Sequence, residues 1–343
     1  MRKSVEMGIE HRRMDDNTLL LAYAEAQSAL SRIEERRKLS PVRHPWKIRC
    51  FIAERQALAW ADATTVEADS FQIDGRGSIG GAAFDLTHWR QAVGAAVTLD
   101  TLLADSTGLL DWLGVDDALA VATPWATPSL PLADIRQRVE GWRKEVAALP
   151  PSPPLLHGAH LALAWRRRSP IGRGDVVASL LIGDRYGPGR WDASFGGLVA
   201  LGLQGSDAPW KVADGAQLDR IWLRAIALGC RTHLDQETRL RAYAGRAAAV
   251  ITARRRSGRL KEVIMMAMSH PYITSRSLAD RLKLTSAGAI KLLGIAVDAG
   301  LLLERSGQSS YRTYALPLSN SPTPVSSTGS DADITTSDFW TDF

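Results

Sequence analysis

At 343 residues, with 45% hydrophobic and 23% charged side chains, the chain is long enough for about two domains with buried cores, which excludes a wholly disordered or fibrous protein. Lys and Arg outnumber Asp and Glu by 42 to 37, and the resulting +5 with a pI near 9.3 makes an acidic partner such as nucleic acid worth testing, though charge alone does not decide it. Cys50 and Cys230 are too few for a disulfide framework, no apolar run reaches membrane-spanning length, and Glu6, Glu10, Asp15 and Asp16 interrupt the N-terminus where a signal peptide needs an apolar core. The sequence therefore reads as a cytoplasmic protein with no membrane partner and no cofactor.

In chain order, residues 1–16 are polar and predicted to be disordered, after which Asn17 or Thr18 caps a helix through Leu19, Leu20, Tyr23 and Leu30 that stops at Ser40-Pro41. A second helix is predicted over 48–63. The Gly-rich run from Asp74 to Gly81 lacks a Lys-Ser/Thr ending and a preceding β-branched strand, so a flexible connection fits it better than a phosphate loop. A third helix follows near Thr87, then helical segments at 96–104, 109–121 and 132–148, with the Pro-rich stretch 123–131 interrupting them. Pro150-Pro151-Ser152-Pro153-Pro154 makes a sharper break, either an interdomain linker or a rigid elbow. Beyond it, helices are predicted at 155–168, 174–185, 192–203, 214–231 and 235–256. Strand signals are almost absent before residue 300, so the fold class is mostly α, and the tryptophans fall in apolar helical stretches where they act as packing anchors. His157 and His160 are three apart on one helix, but no further ligand converges on them and no metal site is expected. Arg166-Arg167-Arg168 reads as a solvated helix end in preference to a phosphate collector.

Between two of these helices, Ser169-Pro170-Ile171-Gly172-Arg173-Gly174-Asp175-Val176-Val177 resembles a degenerate form of the His-Pro-Phe-x-x-Gly-Asn-Gly-Arg loop of the Fic family. In that pattern the His is a general base, the Gly-Asn-Gly turn an anion nest, and the Arg a phosphate grip. Here Ser169 stands at the base, Asp175 at the Asn, Val176 at the second Gly and Val177 at the Arg. Serine has no proton affinity near neutral pH, so the resemblance implies a silent domain rather than an enzyme. Upstream, Ala63-Thr64-Thr65-Val66-Glu67 is faintly similar to the Ser/Thr-x-x-x-Glu helix that restrains active Fic proteins.

The most informative region follows. Leu260, Val263, Ile264, Ala267 and Met268 form one helical apolar face that ends at His270-Pro271. Thr274 or Ser275 caps a short helix carrying Leu278 and Leu282, Lys283-Leu284 makes a tight turn, and Thr285 or Ser286 caps the next helix. That helix faces the core with Ala289, Leu292, Leu293, Ala296 and Val297 and ends at Gly300. Leu301 to Arg305 and Tyr311 to Leu316 then flank the turn-rich Ser306 to Ser310, a β-hairpin pattern. Helix, short helix, turn, helix and hairpin resemble a winged helix-turn-helix over residues 257–317. From 239 to 316, fourteen Lys and Arg against four Asp and Glu give a local +10, leaving −5 for the rest. The outward side of the recognition helix offers Ser286 and Lys291 for hydrogen bonds, with Ile290 and Ile295 apolar, while Arg276, Arg305 and Arg312 suit backbone phosphates.

Over most of residues 40–317, with Trp60 to Gly81, Pro170 to Leu181 and 257–317 carrying the likeness, the chain resembles a bacterial, often plasmid-encoded family of uncharacterised role that joins a helical domain to a C-terminal helix-turn-helix. The chain is thus expected to divide into a helical region at 17–149, a Fic-like helical domain at 150–256, the winged helix at 257–317 and an acidic tail at 318–343 whose Ser, Thr, Pro and Asp composition predicts disorder, and the family resemblance implies DNA binding. The expected function is binding of double-stranded DNA as a transcriptional or plasmid-maintenance regulator, with a homodimer left open. The alternatives are a protein-interaction module without DNA affinity and a Fic-type nucleotidyl transferase. Phe339-Trp340 in the tail is read either as a partner-docking peptide or as a solvated or self-docking terminus.

Overall fold

The computed structural model describes residues 2–63, 71–73, 79–81, 103–113, 115, 130–172, 174–254, 258–305, 312–318 and 339–340, with backbone alone for 2–16, 71–73 and 79–81. Helix dominates. α1 runs Arg2–Leu39, so the stretch expected to be disordered continues the helix. Its one Gly, at position 8, costs only about 1 kcal/mol, and no Pro blocks the path. α2 is Arg43–Ala61 and begins directly after the Ser40-Pro41 break.

β1 (Phe71–Ile73) and β2 (Ile79–Gly81) pair antiparallel, Gln72 opposite Gly80. The end of the Gly-rich run, 79–81, is thus a paired strand, which corrects its reading as a flexible connection there: its partner Phe-Gln-Ile is short but β-prone, and 74–78 lie outside the described residues. The helix expected near Thr87 lies outside the described residues, as does most of 96–104. α3 (Ser106–Leu113) begins where the Asp105 carboxylate accepts from the Thr107 and Gly108 amides, and α4 is Leu132–Ala147.

α5 (Pro154–Arg168) and α6 (Asp175–Tyr186) are followed by a 3-10 turn, Pro188–Trp191, and α7 (Leu198–Ser206). α8 is one continuous helix, Gly215–Thr252, where two were expected with a break near 232. Neither Pro nor Gly stands between 231 and 236, and the Thr232 and Thr238 hydroxyls turn back to the carbonyls of Leu228 and Leu234, so nothing stops the ladder. Then come α9 (Leu260–Ser269), β3 (Ile273–Thr274), α10 (Ser275–Leu282), α11 (Ser286–Asp298), β4 (Leu303–Glu304) and β5 (Thr313–Ala315).

These elements form two compact units: residues 1–34, 53–66 and 83–232 make the first, residues 35–52, 67–82 and 233–343 the second. In the first, both sides of the Pro150–Pro154 stretch belong together, so the prolines act as an elbow, with Pro153 extended (φ −56°, ψ 146°) ahead of α5. Trp142 and Trp165 meet edge to face at 5.1 Å inside this unit, both fully buried. α7 lies so close to α8 that a Cβ on Gly202 would collide with the Ala225 carbonyl. In the second unit, β3, β5 and β4 form a three-stranded antiparallel sheet in that order, with Ile273 opposite Tyr314 and Leu303 opposite Ala315. No helix among the described residues is long and apolar enough to cross a membrane.

Candidate functional site

In the second unit, local sequence chemistry sets each corner of the three-helix cluster. Thr274 caps α10 with a reciprocal box, its hydroxyl accepting from the Ser277 amide and its own amide donating to the Ser277 hydroxyl. Lys283 adopts the left-handed conformation (φ 52°) at the turn, Thr285 caps α11 through the Gly288 amide, and Gly300 (φ 69°) closes it. Ala289, Leu293 and Ala296 are fully buried, whereas Leu292 and Val297 are only half-buried. The core stripe of α11 is therefore narrower than its apolar spacing suggests.

The outer face of α11 is open. Ser286, Ala287 and Lys291 are exposed, and Ile290 is 56% exposed; Ile295, read as outward, is half-buried. Arg276 stands inside the first turn of α10, exposed. Arg305 follows β4 and holds the sheet by its amide to Thr313, leaving its guanidinium exposed. Arg276, Lys283, Lys291 and Arg305 have no ion-pair partner among the described residues. Arg312 differs: its guanidinium meets Glu304 across the sheet at 3.3 Å, an exposed pair of small strength. The hairpin loop 306–311 lies outside the described residues.

Two cationic contributions were not read from the sequence. The His44 imidazole is held below its ordinary value by partial burial and by Lys47, Arg281 and Arg43, so α2 adds Arg43 and Lys47 to the positive surroundings of α10. Arg49, also on α2, is buried and donates to the carbonyls of Met268 (2.6 Å), Ala267 (2.9 Å) and His270 (2.7 Å). It satisfies the end of α9, and burial lowers its pKa only to about 10, so it stays charged. Not every counted cation is available to a ligand. Arg259 grips Glu262 and donates to the Leu282 carbonyl at 2.5 Å, bracing α9 against the end of α10.

In the first unit, the loop resembling the Fic motif is closed on itself. Asp175 Oδ1 accepts from Trp165 Nε1 (2.8 Å) and the Ile171 amide (3.2 Å), and Oδ2 from the Ser169 hydroxyl and the Gly172 amide (both 2.6 Å). Positive φ at Ser169, Gly172 and Gly174 wraps the backbone around that carboxylate. Burial, opposed by these hydrogen bonds, pushes the Asp175 pKa up. Val177, at the family's phosphate-gripping position, is fully buried. Arg173 and the segment 64–67 lie outside the described residues.

The arginine run that ends α5 departs from its reading as a solvated end at Arg166, which is half-buried, while Arg167 and Arg168 stay exposed. Arg166 donates to the carbonyls of Trp210 and Ala213, Arg167 lies 3.7 Å from Asp214, and Arg168 binds Glu145 at 2.7 Å. His157 and His160 turn to different partners, Ser152 and Asp219. No group of three His, Cys, Asp or Glu among the described residues is arranged to hold a metal ion.

A buried carboxylate pair also escaped the sequence. Glu54 Oε2 accepts from the Ser194 hydroxyl and the amides of Phe195 and Gly197, while Asp184 Oδ2 accepts from the Val199 amide. Both side chains are fully buried. Desolvation and then the Glu54 charge push Asp184 up to about 7, against hydrogen bonds from Ser194, Val199 and Leu198. One carboxylate in a helix and another far along the chain give no sequence signal of their meeting. No protein-family model and no curated protein matches this chain.

Proposed function

We propose that residues 257–317 are a winged helix-turn-helix that binds double-stranded DNA, and that the protein is a transcriptional or plasmid-maintenance regulator. The carrying observation is the open first half of α11, with Ser286 and Lys291 exposed and, on neighbouring elements, the exposed cations Arg276 and Arg305, which have no ion-pair partner among the described residues. The element order α9, β3, α10, α11, β4, β5 and the sheet order β3-β5-β4 support the reading. Arg276 and Arg305 act on backbone phosphates, Arg312 more weakly because Glu304 competes for it, and Ser286 with Lys291 reach base edges. A face with so few hydrogen-bonding groups reads sequence sparingly and draws most of its affinity from phosphate contacts.

The 150–256 region is then a Fic-like domain without catalysis, used for assembly or sensing. Asp175 supports this: a phosphate entering the 169–177 loop would meet a carboxylate already holding two amides, a hydroxyl and an indole N–H. The test is titration of labelled duplex DNA with the full chain at salt between about 50 and 200 mM, where several phosphate contacts give a steep linear fall in log affinity. Absence of binding at the low end, or a flat salt dependence, rejects the proposal.

A second reading, a protein-interaction module without DNA affinity, is favoured by the exposed apolar side chains Ile290 (56%), Tyr272 (48%) and Leu303 (44%). The same titration separates the two.

A further inference from the structure

The C-terminal Ser, Thr and Asp-rich region carries an aromatic pair, Phe339-Trp340, that does not stay in solvent. Trp340 is 3% exposed, and its indole N–H donates to the Ala244 carbonyl of α8 at 3.3 Å. Phe339 packs edge to face on it at 4.7 Å and receives the Lys261 ammonium over its ring at 4.8 Å. The one polar atom of the indole is thus satisfied, so the seat takes the whole side chain without an orphaned donor.

This seat lies at the start of α9, next to the helix-turn-helix brace. Two residues before Lys261, Arg259 donates to the Leu282 carbonyl, the last of α10 before the Lys283 turn. Asp338 and Asp342 flank the aromatic pair in sequence, and the segment that holds the seat, 239–316, carries +10. An ammonium covered by an aromatic ring is also withdrawn from phosphate.

We propose that Phe339-Trp340 is an intramolecular latch on the duplex-binding unit: seated between Ala244 and Lys261, it competes with polyanions, and its release raises DNA affinity. The competition rests on the DNA-binding reading above; the seat does not. A tethered peptide works at an effective concentration of order millimolar, so an intrinsic Kd of about 0.3 mM keeps the latch closed about three-quarters of the time and weakens duplex binding about fourfold.

The full chain and its Trp340→Ala variant are compared in two assays. In the first, a synthetic peptide of residues 334–343 is titrated into each protein, with hydrogen exchange followed around Ala244 and Lys261. The peptide should bind the variant about fourfold more tightly than the wild type, and exchange at the seat should quicken in the variant; equal peptide affinity with unchanged exchange overturns the latch. In the second, duplex affinity should rise about fourfold in the variant at moderate salt; an unchanged or weaker affinity with the seat verified overturns the competition. If neither protein binds duplex at low salt, the DNA reading and the competition fall together, while the peptide titration still decides the seat. A loss of dimer mass on light scattering of the variant would overturn the intramolecular assignment in favour of exchange between two copies.

Discussion

Two buried carboxylates in the same unit are held by opposite logic. Asp175 sits among four donors and Asp184 among few, with Asp184 Oδ1 finding none among the described residues. Asp175→Ala would leave Trp165 Nε1, the Ser169 hydroxyl and two amides without their acceptor, a cost of about 3 kcal/mol that thermal unfolding would register as a clearly lowered Tm. An unaltered Tm would mean that the loop closes without the carboxylate. Asp184 behaves differently because its folded pKa, about 7, lies above the unfolded value near 4. Its contribution is fully present below about pH 4 and is lost as pH rises through 7, where Glu54 and Asp184 repel as two anions. Asp184→Asn should therefore flatten the stability profile between those values and be the more stable form at pH 8. Denaturant midpoints across that range check the sign, and parallel profiles would refute the coupled pair.

At the scale of elements, the capping signals were legible and the tertiary ones were not. Thr274, Lys283, Thr285 and Gly300 each act within about one helical turn, so spacing alone located the boundaries of α10 and α11. Arg49 acts on carbonyls more than two hundred residues away, and its role has no local signature. The continuity of α8 was missed for a related reason: a stretch with mixed polarity near 232 resembles a break unless the hydroxyls are seen to fold back on the helix. Close approach is equally silent in sequence. Gly202 and Gly245 both stand inside helices, but a Cβ on Gly202 strikes the Ala225 backbone while one on Gly245 meets nothing within 4 Å. Gly→Ala gains about 1 kcal/mol of helix propensity at either site. At Gly202 a backbone collision of about 3 kcal/mol outweighs that gain, so Gly202→Ala should destabilise and Gly245→Ala stabilise. Chemical denaturation of both variants decides it; equal effects would show that α7 and α8 can separate at little cost.

Across the whole molecule, net charge conceals the useful asymmetry, since +5 is the difference between +10 over 239–316 and −5 elsewhere. Even within the basic segment availability is uneven: Arg259 is consumed in bracing, Lys261 lies under Phe339, and Arg312 faces Glu304, whereas Arg276, Lys291 and Arg305 are exposed. A simple count would assign these cations equal weight in duplex binding, and their surroundings argue for three classes. On the proposed DNA-binding reading, replacing Arg276 and Arg305 together by Ala removes two phosphate partners, so the slope of log affinity against log salt should become shallower by about 2, with equal loss on every duplex sequence. Arg312→Ala should change the slope by less, and Lys291→Ala should alter discrimination among sequences more than the slope. Affinities on several duplexes at four or more salt concentrations separate these effects. An unchanged slope in the double variant would free the α11 face from a DNA role and leave Ile290, with its exposed apolar surface, as the centre of a protein contact.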